Sequence, residues 1–133
     1  MAPSMWTAAF IRRALAPLLV AAFFYAAEPA RAANYVSGIE DLPLMPGLTE
    51  SIDEAAVFDQ PAGRVVSAVA AGPVSPASVR AFYEETLPAL GWSAPEHTKA
   101  GNMIFHRAGE YLEIEARNGG GQSTSVRFML SPE

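Results

Sequence analysis

Two glutamates are the side chains whose spacing could support chemistry in this sequence. Glu113 and Glu115 lie two residues apart in the alternating segment EYLEIEAR, so both point to the same face of a predicted strand. A carboxylate pair can act as general acid and base on a glycoside when the surroundings separate the two pKa values. The flanking residues indicate no cleft of that kind, so a hydrolase is the weakest of three interpretations.

A simpler expectation for these glutamates is an ion pair across the sheet. Arg107 and Arg127 lie in segments that are predicted to flank EYLEIEAR, and opposite charges facing each other on neighbouring strands stabilise a sheet weakly. The solvent side of the sheet would then carry Tyr111, Glu113, Glu115 and Arg127. These four residues are a candidate contact surface.

The remaining polar residues do not indicate a metal site, a nucleophile or a cofactor. His97 lies in a polar loop and His106 in a predicted strand, and no HxH, HxxxH or HExxH spacing occurs. No serine lies in a GxSxG motif, and Gly119-Gly120-Gly121 precedes a predicted strand, whereas phosphate-binding loops precede a helix. The chain has no cysteine, which excludes disulfides and thiolate chemistry. The sequence therefore predicts a protein that is not an enzyme and binds neither cofactor nor metal.

One helix with clear start and stop signals is predicted in the middle of the chain. Ser75 is a favourable N-cap and Pro76 suits the first helical position. Pro88 should end or kink the regular helix near Leu87, with a last turn over Ala89 and Leu90 and Gly91 in the left-handed closing conformation. Trp92 is expected to pack back on Leu87. One stripe of the helix is mostly apolar at three- and four-residue spacing, and it consists of Val79, Phe82, Tyr83, Thr86, Leu87 and Leu90.

Strands are predicted on both sides of this helix. AAVFD and RVVSAVAAG, joined by the turn QPAG, read as two strands before it, and MIFHR, EYLEIEAR and STSVRFML alternate as an antiparallel meander after it. The expected fold is α+β, with an antiparallel sheet of about five strands, one helix packed on one face, and the order β-β-α-β-β-β.

The N-terminal residues 1–32 have the properties of a cleaved secretory signal peptide. Arg12-Arg13 precede an apolar run that is too short to cross a bilayer, and Ala30-Arg31-Ala32 matches the small-x-small pattern of a cleavage site. We expect export by the general secretory route, cleavage after Ala32, a periplasmic or secreted protein, and no stable membrane span afterwards. An uncleaved anchor is the alternative.

The charge balance disfavours nucleic acid and anionic lipid as partners. The full chain has a formal net charge of −5, and removal of residues 1–32 takes three of nine basic and one of fourteen acidic residues, which leaves −7. Such a surface repels phosphate groups.

Residues 33–52 are rich in proline and glycine and are predicted to form an extended arm that precedes a single α+β domain, residues 53–133. The apolar part of the arm, DLPLMPGL, contains Leu44 and Leu48. It is expected either to pack over a sheet edge or to dock into a partner.

The segments DLPLMPGL, FDQPAGRVV and VRAFYEETLPALGW, followed by an alternating meander, resemble a group of small signal-bearing proteins of Gram-negative bacteria with no assigned function. The resemblance implies periplasmic residence. The favoured interpretation is a non-catalytic binding or accessory domain of the cell envelope with a protein partner. The alternative is a small-molecule carrier with an apolar pocket between Phe82, Tyr83, Leu87 and the sheet.

Overall fold

A computed structural model describes residues 34–133, in which seven antiparallel strands form one sheet and one α-helix is present. The predicted signal peptide, residues 1–32, lies outside the described residues. In chain order the elements are β1 (Thr49–Glu50), a 3-10 turn (Ile52–Glu54), β2 (Ala56–Gln60), β3 (Gly63–Gly72), α1 (Pro76–Ala89), β4 (Glu96–His97), β5 (Met103–Arg107), β6 (Glu110–Gly120) and β7 (Ser123–Pro132).

The strands follow the spatial order β1-β3-β7-β6-β5-β4, and β2 also pairs with β3. The short β1 and the longer β2 share one edge of β3, because β1 pairs with residues 70–71 and β2 with residues 63–67. The predicted α+β class with an antiparallel sheet is confirmed. The predicted count of about five strands and the order β-β-α-β-β-β are wrong, because β1 and β4 are additional strands of two residues each. Strands this short show no alternation in the sequence.

Local signals set both ends of α1. The Ser75 hydroxyl oxygen accepts a hydrogen bond from the Ser78 backbone N–H at 3.1 Å, so Ser75 is the N-cap. At the other end Gly91 has φ +93°, and the Trp92 N–H donates to the Leu87 carbonyl oxygen at 3.2 Å. The helix therefore begins at the predicted residue and closes at Gly91 as predicted, but it continues through Pro88 to Ala89 and does not end at Leu87.

The core lies between α1 and one face of the sheet. Val79, Tyr83 and Leu87 of α1 are fully buried, and the Tyr83 ring packs edge-on against the Phe128 ring with centroids 5.4 Å apart. The sheet contributes alternate side chains from its four longest interior strands, namely Val66, Ala68, Ala70, Met103, Phe105, Leu112, Ile114, Val126, Phe128 and Leu130.

The Pro/Gly-rich arm is part of this core. Its Val36, Ile39, Leu42 and Leu48 side chains are buried, and residues 34–44 turn back on themselves through a bridge between Tyr35 and Pro43. The arm continues directly into β1 of the sheet. Residues 34–52 are therefore integrated with the remainder of the domain.

Candidate binding surface

The sheet face that points away from α1 carries half-buried and exposed side chains, which we call the open face. Each strand sends alternate residues to it, and the pairing register brings them into rows. One row consists of Ser67, Met129, Glu113 and Ile104, and a second consists of Val69, Arg127 and Glu115. Three of the four residues predicted as a contact surface thus lie in adjacent rows, and Tyr111 is next to Glu113 on the same strand face.

The carboxylates of the open face do not form the predicted cross-strand ion pairs. Glu115 pairs with Arg117 of its own strand. Glu113 accepts a hydrogen bond from the side-chain amide of Asn102 at 2.8 Å. Arg107 cannot reach them, because its position on β5 has the same parity as the buried Met103 and Phe105 and so faces the α1 side.

Arg127 is a cation of the open face that has no ion-pair partner among residues 34–133. It lies directly opposite Glu115 in the pairing register, but within residues 34–133 no carboxylate oxygen lies within 4.0 Å of its guanidinium. Its side chain is exposed. Together with Glu115, Arg117, Asn118 and Ser125 it lines a shallow depression of about 280 Å³. The depression therefore presents an unpaired guanidinium to solvent.

Apolar side chains, which the sequence did not predict as part of this surface, surround the charged rows. Phe58 of β2 is 58% exposed and lies opposite Val65 of β3. Met129 and Ile104 flank Glu113. The alternation in RVVSAVAAG could have indicated Val65 and Val69 as a second apolar face. Phe58 joins them only through the pairing of β2 with β3.

His106 lies at the margin of the open face between two carboxylates. Its Nδ1 is hydrogen-bonded to the Glu133 carboxylate, and its Nε2 is 3.7 Å from a Glu96 oxygen. The hydrogen bond to Glu133 raises the pKa of His106 above its ordinary value, and the nearby Glu96 adds to the effect. The other histidine, His97, is 2.9 Å from the Glu84 carboxylate of α1. Each histidine is thus in contact with a carboxylate.

Within the described residues, no three His, Cys, Asp or Glu side chains are placed to hold a metal ion. Glu113 and Glu115 share a strand face, as predicted, but Asn102 and Arg117 bind their carboxylates. The expectation that this pair is not catalytic stays a prediction.

The two other predicted contact regions lie largely inside the molecule. Leu48 is buried and Leu44 packs against the core, so neither side chain extends from the domain as a free peptide. Tyr83 and Leu87, which the carrier interpretation places in a pocket, have no exposed area, and Phe82 is half-buried. A ligand between α1 and the sheet would have to displace these side chains.

Comparison of the chain with protein-family models, with curated proteins and with solved structures finds no match. In residues 34–133 the structure has no helix whose length and apolar character would allow it to cross a bilayer.

Proposed function

We propose that this protein is a non-catalytic binding domain that engages a protein partner through the open face. The observation that carries the proposal is the pairing register, which brings apolar and charged side chains of five strands onto one face. Phe58, Met129 and Ile104 supply apolar contact area there, and Arg127 supplies a fixed charge. Interfaces of this composition combine apolar contacts with a few oriented polar groups.

The charge on the open face indicates the chemistry of the partner. The described residues hold six basic and thirteen acidic side chains, yet Arg127 has no carboxylate within reach. A partner that supplies a carboxylate to Arg127 and an apolar residue beside Phe58 or Met129 would complement this surface. We infer an exported location in the cell envelope from the N-terminal sequence alone, and sequencing the N-terminus of the exported protein would test it.

Site-specific photocrosslinking in the native host tests the proposal. A photoreactive phenylalanine at position 58 replaces one exposed aromatic residue with another, and the same group at Glu85, on the exposed side of α1, is the matched control. We expect position 58 to give one defined product with a different protein. Arg127→Glu should remove that product, whereas Arg80→Glu on α1 should leave it.

Equal crosslinking from positions 58 and 85, or a product that persists in Arg127→Glu, would contradict the proposed surface. A crosslinked product with the mass of two copies of this chain would show that the open face binds a second copy of the protein and not a different protein.

A further inference from the structure

A second candidate site lies at the end of the sheet near the arm. The arm, the β2–β3 turn, the β5–β6 turn and the end of β7 enclose a cleft of about 410 Å³, which is within the range of small-molecule sites. Arg64 and Arg107 line it together with Trp92, Ile39, Leu130 and Pro132. Neither the open face nor the space between α1 and the sheet includes this cleft.

Arg107 is held in a fixed orientation that leaves most of its donors unused. Its guanidinium carbon lies 4.3 Å from the centroid of the Trp92 ring, and its Nη1 donates to the Leu90 carbonyl oxygen at 3.3 Å. No carboxylate oxygen of residues 34–133 lies within 4.0 Å of it. A guanidinium has five N–H groups in a planar fork that matches a carboxylate. Arg107 is therefore pre-oriented for an anionic ligand.

Arg64 adds a second guanidinium to the lining of the cleft. Arg64 is exposed at the start of β3, and although Asp59 is its register partner, the charged groups of the two residues are more than 4.0 Å apart. Trp92 buries its indole N–H without an acceptor among the described residues. That nitrogen has no solvent-accessible area, so a ligand in the cleft could not accept from it unless the Trp92 ring moved.

The other lining residues limit the charge that a ligand can carry and favour a ligand with an apolar part. Glu40 and Glu110 also line the cleft, so its formal charge is balanced and it has no excess positive charge to hold a ligand with two negative charges. Ile39, Leu130 and Pro132 offer an apolar wall to the remainder of the ligand.

We propose that this cleft binds a small amphipathic monocarboxylate. The carboxylate accepts hydrogen bonds from Arg107 and is attracted by Arg64, while the hydrocarbon part lies against the apolar wall. The proposal is independent of the open face, because its residues lie elsewhere.

Hexanoate titration of the full-length chain tests the proposal. Trp6→Phe leaves Trp92 as the only tryptophan, so its fluorescence reports on the cleft. We expect a saturable change with millimolar hexanoate and a weaker response to hexanol, hexylamine and phosphate. Arg107→Gln should weaken hexanoate binding by about ten-fold or more, as loss of a charge-assisted bidentate contact does. Calorimetric titration should give the same ratio, because it does not depend on the fluorescence of Trp92.

Two variants distinguish a loss of ligand recognition from a loss of folding and from a change in the overall charge of the protein. Arg64→Gln changes an exposed side chain and should also weaken binding while the melting temperature stays unchanged. Arg80→Gln removes a cation from α1 and should leave the affinity unaltered. The proposal is overturned by an absence of saturable hexanoate binding, by equal binding of hexanol, or by equal losses in Arg80→Gln and Arg64→Gln.

Discussion

The hydroxyl of Tyr83 donates a hydrogen bond to the carbonyl oxygen of Pro43 at 2.9 Å. The Tyr83 hydroxyl oxygen also accepts a hydrogen bond from the backbone N–H of Met45 at 3.2 Å. One buried phenol on α1 therefore satisfies two backbone groups of the arm, a segment in which proline and glycine prevent a regular hydrogen-bond ladder. A phenol is a donor at neutral pH, and burial raises the pKa of Tyr83 well above its ordinary value, which extends the protonated form further into the alkaline range.

Tyr83→Phe should destabilise the domain although the aromatic ring is retained. The ring can still pack on Phe128, but the two backbone groups lose their partner, which typically costs about 1–3 kcal/mol. Urea unfolding gives the difference in the free energy of unfolding. Tyr35→Phe is the matched control, because the Tyr35 side chain is 58% exposed, and no change is expected there. Equal stability of Tyr83→Phe and the wild type would show that the arm does not depend on this contact.

Gly91→Ala tests the conformation that ends α1. Gly91 has φ +93°, and a Cβ there would meet only the Arg107 Cδ at 3.8 Å, so the cost is conformational and not steric. We expect a loss of about 1–2 kcal/mol in the free energy of unfolding, measured by chemical denaturation. Gly91→Asn should cost less, since asparagine tolerates the left-handed region better than alanine does. A neutral Gly91→Ala would refute this account of the helix end.

Gly72→Ala tests a close approach of two backbones. A Cβ on Gly72 would collide with the carbonyl oxygen of Gly47 in the arm, and backbone atoms cannot move aside as the end of a side chain can. The expected loss is about 2–3 kcal/mol, at the upper end of the costs of overpacking. Hydrogen exchange should show the loosening at Leu48 and β1, which lie next to Gly47. A loss no larger than that of Gly91→Ala would mean that the arm shifts freely.

The sequence predicted the elements whose signals are local. Ser75, Pro76 and Gly91 mark the ends of α1 through their own backbone and side-chain preferences, and the structure places the N-cap and the left-handed glycine at those positions. The alternation in EYLEIEAR likewise placed Glu113 and Glu115 on one face. These signals do not depend on what a segment packs against.

Features that depend on distant partners were not predicted. Val36 and Leu42 are buried because the arm folds against the core, and nothing in NYVSGIEDLP shows a helical or strand period. Phe58 belongs to the open face only through its register with Val65. The cleft around Arg107 combines residues from both ends of the described chain, from Gly38 to Pro132. Long-range pairing of this kind leaves no pattern within a short window of sequence.

His106 should make stability depend on pH. Its hydrogen bond to Glu133 raises its folded-state pKa above the ordinary value of about 6.5, so the protonated imidazole stabilises the folded state fully below that pH. This contribution is lost as the pH rises through the raised folded-state pKa. The melting-temperature difference between wild type and His106→Asn should therefore shrink as the pH increases from acidic to mildly alkaline. In Glu133→Gln the pKa of His106, measured by NMR titration, should move toward its ordinary value. A melting-temperature difference that stays constant across this range would show that the contact between His106 and Glu133 does not contribute to folding stability.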